Sequence, residues 1–196
     1  MIPKTMKAIV AYSADDYRLE LEYPVPECGP EDILIKTEGC GICAGDVKCR
    51  TGAAMFWGDD VQPSWVKPPF IPGHEFVGIV VEKGERVTKY ELGDRVTADQ
   101  INPCGECRFC KTGKYWMCQP HNIFGYQPEN NGGMAEYMLL PKTAVVHKVP
   151  KELTLKEALL IEPYACAKHC VDRAQIGVDD IVVLSGSGTL GQIGRA

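Results

Sequence analysis

Apolar and polar positions alternate in short runs along most of the chain. Residues 7–13 (KAIVAYS), 32–38 (DILIKTE), 76–83 (FVGIVVEK), the segment GDRVTAD from Gly93, 134–140 (MAEYMLL) and 144–150 (AVVHKVP) all have strand composition. Pro24, Pro26, Gly29, Pro30 and Gly84 punctuate them. Many short strands with glycine and proline turns predict a β-rich, partly closed barrel.

The pattern changes at Thr154. Thr154-Leu-Lys-Glu157 fits a capping box, in which hydroxyl and carboxylate satisfy the free N–H groups of a helix start. The helical stretch is expected to break at Pro163 and resume as YACAKHCVDRAQI, up to Gly177. DDIVVLS follows, an apolar run suited to a buried parallel strand, and glycines come at once after it. The expected fold is mixed α and β: a β-rich domain over residues 1–160, then a linker helix and the start of an α/β domain over 161–196.

Charge narrows the function classes. The 196 residues carry a net charge of −5 and no Lys/Arg block, so no nucleic-acid partner is expected. No apolar run reaches membrane-spanning length, and MIPKTMKAIVAYS lacks the basic and apolar regions of a secretory leader. The expectation is a cytoplasmic protein with no membrane partner. Ten cysteines without such a leader read as reduced thiols and metal ligands rather than disulfides.

Cys104-x2-Cys107-x2-Cys110-x7-Cys118 is the most specific feature. Zinc takes four ligands in a tetrahedron, and short thiolate spacings let one loop wrap around it, helped by turns at Pro103, Gly105 and Gly113. The common bacterial iron–sulfur spacing has a shorter final gap followed by proline. Four thiolates close the coordination, so this zinc is structural, in a lobe over about residues 99–120. Gly186-Ser-Gly188-Thr-Leu-Gly191 follows the strand-like IVVLS and precedes QIGRA, which fits a helix start. There Gly186, Gly188, Thr189, Leu190 and Gly191 are candidates to hold the pyrophosphate of NAD or NADP. The acidic residue that binds the ribose is expected about 20 residues further on, past Ala196, so NAD and NADP are not distinguished.

His74 taken alone reads as a core histidine. Gly73-His74-Glu75-x2-Gly78-x5-Gly84-x2-Val87, however, resembles the zinc signature of the medium-chain alcohol dehydrogenase family. The four-cysteine spacing and Gly93-Asp94-Arg95-Val96 resemble that family as well, and the likeness runs from about residue 35 to the C-terminus. It implies a GroES-like catalytic domain followed by a Rossmann domain. Cys43, His74 and Glu75 then correspond to a catalytic zinc site, with Asp46 orienting the histidine through its other ring nitrogen. Glu162, in Ile161-Glu162-Pro163, corresponds to the third protein ligand of the polyol branch, and Ala165-Cys166-Ala167-x-His169 is similar to that branch too. The loop before His74 and the segment CAGDVK look most like erythritol/threitol dehydrogenases.

Two positions depart from the family. Gly45 stands where a proton-relaying Ser or Thr is general, and Lys48 replaces a frequent histidine. Proton transfer is left to water, Lys48, Glu75 or a substrate hydroxyl. The loop TGAAMFWGDDVQPSWVKPPFIP is longer than usual for the family. Its Phe56, Trp57, Trp65, Asp59 and Asp60 read either as a wall for a hydroxylated substrate or as packed surface aromatics. Cys166, His169 and Cys170 share a helical face and are expected to pack rather than bind metal.

The resemblance implies a dehydrogenase with two zinc ions per chain and NAD or NADP, acting on a secondary hydroxyl of a polyol and forming a homo-oligomer, dimer or tetramer. The alternatives are another zinc alcohol dehydrogenase or a threonine-type one, and a zinc-stabilised binding module without redox chemistry, which predicts one zinc instead of two.

Overall fold

In the computed structural model, which describes residues 1–195, the alternating runs pair as antiparallel strands. β1 (Thr5–Ser13) and β2 (Asp16–Pro24) form a hairpin. β3 (Ile33–Cys40), β4 (Phe76–Lys83), β5 (Arg95–Ala98), β6 (Tyr137–Leu140) and β7 (Val146–Lys148) form a five-stranded sheet in the order β6-β3-β4-β5-β7. β1 bends this sheet towards a barrel. Its Ile9 N–H donates to the Met134 carbonyl at 2.9 Å, and Ala11 exchanges backbone hydrogen bonds with Phe70 at 2.8 and 3.1 Å.

Residues two apart on a strand share a face. Ile33 and Ile35, Val96 and Ala98, and Met138 and Leu140 therefore meet Phe76, Val80, Tyr90 and Phe124 in the main core. The buried Tyr90 hydroxyl donates to the Val146 carbonyl at 2.7 Å, which removes the penalty of an unpaired polar atom there. A second core gathers Phe56, Val66, Phe70, Ile101, Cys118, Ile123 and Tyr126. It joins the hairpin, the aromatic loop and the four-cysteine lobe.

The helices are short: α1 (Ala44–Arg50), α2 (Ala54–Trp57), α3 (Arg108–Lys111), α4 (Leu155–Leu159), α5 (Ile161–Ala174) and α6 (Thr189–Arg195). The capping box is formed: the Thr154 hydroxyl accepts from the Glu157 N–H, and the Glu157 carboxylate accepts from the Thr154 N–H at 2.7 Å.

Three expectations need correction. β2 has no counterpart in the expected strands, because DYRLELEYP turns its leucines outward: Leu19 and Leu21 are 60% and 62% exposed. The helix breaks at Leu160, not at Pro163. Pro163 lies in the first turn of α5, where an N–H has no intrahelical partner, so its ring costs no hydrogen bond. Finally, the run IVVLS is neither a strand nor buried, and Ile181 is 95% exposed. A parallel strand needs a neighbour to satisfy its backbone, and no described segment pairs with it.

Candidate active site

Strand register builds this site. β3 and β4 pair from Ile33↔Lys83 to Cys40↔Phe76, and the pairing runs on as the Gly41 N–H donates to the Glu75 carbonyl at 2.8 Å. The chain leaving β3 at Gly41 thus lies beside the chain entering β4 at Glu75. Three residues after Cys40, Cys43 comes next to His74 and Glu75 despite the long intervening loop. The ligand-type atoms of Cys43, His74 and Glu75 all lie within 4.8 Å of one another.

Two glycines make the approach possible. A Cβ on Gly41 would stand 2.2 Å from Glu75 Oε2. Gly73 has φ +97°, and a Cβ there would meet Cys40 Sγ at 2.5 Å.

Cys43 is the N-cap of α1, and Asp46, at its third position, reaches back so that Oδ2 accepts the Cys43 N–H at 2.9 Å. The other oxygen, Oδ1, lies 3.6 Å from His74 Nδ1, with both side chains buried. With Nδ1 turned to Asp46, Nε2 is the nitrogen left to ligate. Burial raises the pKa of Asp46, against the favourable charge of His74. Burial also raises Cys43 and Glu75, and the nearby charge of Glu162 pushes Glu75 further. A thiol, an imidazole and a carboxyl held together, the imidazole buried and the other two half-buried, are a donor set suited to zinc.

The four-cysteine lobe forms a second cluster. Sγ atoms of Cys104, Cys107, Cys110 and Cys118 all lie within 4.8 Å of one another. Cys104 and Cys110 sulfurs are 3.9 Å apart, far beyond a disulfide bond. Backbone N–H groups of Cys107 and Glu106 donate to Cys104 Sγ at 3.3 and 3.4 Å, and that of Cys104 donates to Cys118 Sγ at 3.3 Å. Amides aimed at sulfur stabilise thiolate, and the Cys110 amide first among them brings Cys107 down to about 6.

The pattern of the alcohol dehydrogenase GroES-like domain matches residues 29–151. The chain belongs to that family. It is 47% identical over 193 residues to an erythritol/L-threitol dehydrogenase of Mycolicibacterium smegmatis, covering 97% of this chain and 53% of that protein. It is 35% identical to an L-threonine 3-dehydrogenase of Stenotrophomonas maltophilia, covering 96% and 52%. Among solved structures, a zinc-binding dehydrogenase from Sinorhizobium meliloti bound to NADP superposes with a TM-score of 0.84 at 33% identity, over 98% of this chain and 52% of that one. The chain thus spans about half the length of these relatives.

Other expected site residues lie apart from the cluster. Glu162, half-buried on α5, is near enough for its charge to act on Cys43 and Glu75, but its Oε1 accepts from Cys166 Sγ at 3.1 Å, and it is not drawn in among the three donors. Lys48 is exposed on α1. His169 lies edge-on against Trp116 at 5.2 Å but is exposed, as is Cys170, and only Cys166 is half-buried, so the expected packing of this face is not formed among the described residues. Gly186 has φ +110° and turns the chain, Gly188 follows, and α6 starts at Thr189. Leu190 is half exposed, and Gly191 passes so close under the Gly186 carbonyl that a Cβ would lie 2.2 Å from its oxygen.

The aromatic loop packs its rings inward and leaves its acidic turn exposed. Phe56 is buried and stacks on Tyr126 at 5.3 Å, with Trp65 5.1 Å from the same ring. Trp57 is half-buried, and its indole N–H donates to the Cys49 carbonyl at 2.6 Å. Asp59 and Asp60 are exposed, and Asp59 caps its own turn through the Val61 and Gln62 amides. Tyr126 is the residue that sequence reasoning missed: buried, with its ring centroid 5.6 Å from that of His74. No motif marks it. The only trace in the sequence is the missing side chain at Gly45.

Proposed function

We propose that the protein containing this chain is a zinc-dependent dehydrogenase that transfers hydride from a secondary hydroxyl of a short sugar alcohol, such as erythritol or threitol, to NAD or NADP. The observation carrying this reading is the open cluster of Cys43, His74 and Glu75, in a chain 47% identical to an erythritol/L-threitol dehydrogenase.

Cys43, His74 and Glu75 would hold a catalytic zinc, with Glu162 as the further carboxylate from α5. Zinc bound there supplies Lewis acidity, which makes a substrate hydroxyl easier to deprotonate. The chain's own residues do the rest. Asp46 fixes the His74 ring, the Phe56–Trp65–Tyr126 wall excludes water, and Glu75 or exposed Lys48 offers a route for the proton. The turn at Gly186, Gly188, Thr189, Leu190 and Gly191 would hold the cofactor pyrophosphate. The four cysteines would hold a second zinc with no position left for substrate. Two zinc ions per chain and a homo-oligomer complete the reading.

The 35% identity to an L-threonine 3-dehydrogenase favours one second reading, an amino-alcohol substrate at the same site. Steady-state assays of the full-length protein on erythritol, threitol, sorbitol and threonine, each with NAD and NADP, distinguish them. Reduction of neither cofactor with any polyol would sink the first reading. Zinc analysis of His74→Ala adds a test of the site: the count should fall from two to one, and an unchanged count would remove the catalytic metal.

A further inference from the structure

A side chain at position 45 would place its Cβ 3.1 Å from the Tyr126 hydroxyl oxygen, 3.7 Å from Cys43 Sγ and 3.8 Å from Phe56 Cζ. The space beside the Cys43 sulfur is therefore served by a hydroxyl reaching in from Tyr126. The Tyr126 ring is fixed: it lies near-parallel to Phe56 (17°) and to His74 (30°), with Trp65 5.1 Å away. Its hydroxyl oxygen and the Cys43 sulfur both border the space that a side chain at Gly45 would occupy. A phenol oxygen keeps lone pairs with which it can accept a hydrogen bond. Gly45 and Cys43, the neighbours of this oxygen, are both half-buried rather than sealed in the core.

We propose that Tyr126 is a substrate-contacting residue of this site. Its oxygen accepts the hydrogen bond of the substrate's reacting hydroxyl, beside Cys43, in the place that Gly45 leaves open. Gly45 and Tyr126 thus form a matched pair, one without a side chain because the other fills its space. This rests on the dehydrogenase reading above.

The test uses the full-length, zinc-loaded protein as wild type, Tyr126→Phe, Gly45→Ser and the double variant. Zinc content, kcat and KM, and calorimetric affinity for the alcohol oxidised best by the wild type are measured for each. Tyr126→Phe should keep its zinc and lose about ten-fold in kcat/KM and in affinity, the loss of one hydrogen bond at a buried site. Gly45→Ser alone should be impaired, since its Cβ already stands 3.1 Å from the hydroxyl oxygen of the fixed Tyr126. The double variant, which restores a hydroxyl in the same space, should recover most of the loss. Unchanged kcat/KM and affinity in Tyr126→Phe would overturn the proposal. So would loss of zinc in that variant, which would make Tyr126 a support for the His74 ring only. The wild type's choice of alcohol tests the polyol reading separately, because the variant ratios apply to any alcohol it prefers. A wild type that neither oxidises nor binds an alcohol would overturn both.

Discussion

Asp46 Oδ1 and His74 Nδ1 face each other at 3.6 Å in the interior, and neither atom has a hydrogen-bond partner among the described residues. Two buried polar atoms left to each other are costly unless their pairing tightens when the histidine takes up its role. The same carboxylate caps α1 through the Cys43 amide, so one side chain sets the direction of both neighbouring donors. Asp46→Asn in the full-length protein should weaken metal binding or activity about 10- to 100-fold, the usual cost of losing such a support. Zinc titration with a competing chelator, alongside kcat, measures it. Wild-type affinity and rate would show that Asp46 serves the helix alone.

Gly41→Ala should act on Glu75 more than on the fold. The new Cβ would clash with the end of a flexible carboxylate at 2.2 Å, which swings aside, while Glu75 Cβ, 3.0 Å away, asks the backbone to give by only a few tenths of an ångström. The expected result is a thermal unfolding curve close to wild type with the zinc count falling from two towards one. A large drop in Tm with full zinc would point to the backbone instead.

Cys110→Ser should open the four-cysteine lobe. The same core holds Cys118, Phe56 and Tyr126, so the disturbance should reach the aromatic wall. Limited proteolysis should cut within residues 104–118 in the variant and spare the wild type. Metal analysis should show one zinc lost, and equal resistance to protease would mean that packing alone supports the lobe.

The capping box gives a pH signature. The Thr154 hydroxyl, and then its amide, hold the Glu157 carboxyl below its ordinary 4.5. A lowered folded pKa means stability that is complete above the unfolded value and is lost as pH falls through the folded one. Thr154→Ala should lower stability near neutral pH by about 1 kcal/mol. The gap between its denaturation midpoints and those of wild type should narrow as pH drops below about 4, leaving the share of the hydroxyl that accepts from the Glu157 N–H. A gap that is constant between pH 7 and 3 would separate the cap from the carboxylate.

Much of this fold is legible in the chain because one-sided burial writes a period of two, as in Ile33/Ile35 and Met138/Leu140. β2 leaves no such record, since its apolar side chains face outward. Pro163 misleads because the same residue breaks a helix interior and suits its first turn. The run IVVLS misleads in a different way: apolar content marks a strand only where a partner strand exists. At the site, Cys43, His74 and Glu75 are readable from motif spacing, and the β3–β4 register brings them together. Tyr126 is not readable, since its neighbourhood with Gly45 and His74 is created by folding alone.

That register has a further consequence. The pairing of Cys40 with Phe76 and of Gly41 with Glu75 anchors both ends of the excursion between them. Insertions, deletions or replacements at its exposed tip, residues 59–63, leave those anchors and the Phe70–Ala11 hydrogen bonds in place. That tip can change in length and sequence while Cys43, His74 and Glu75 stay side by side.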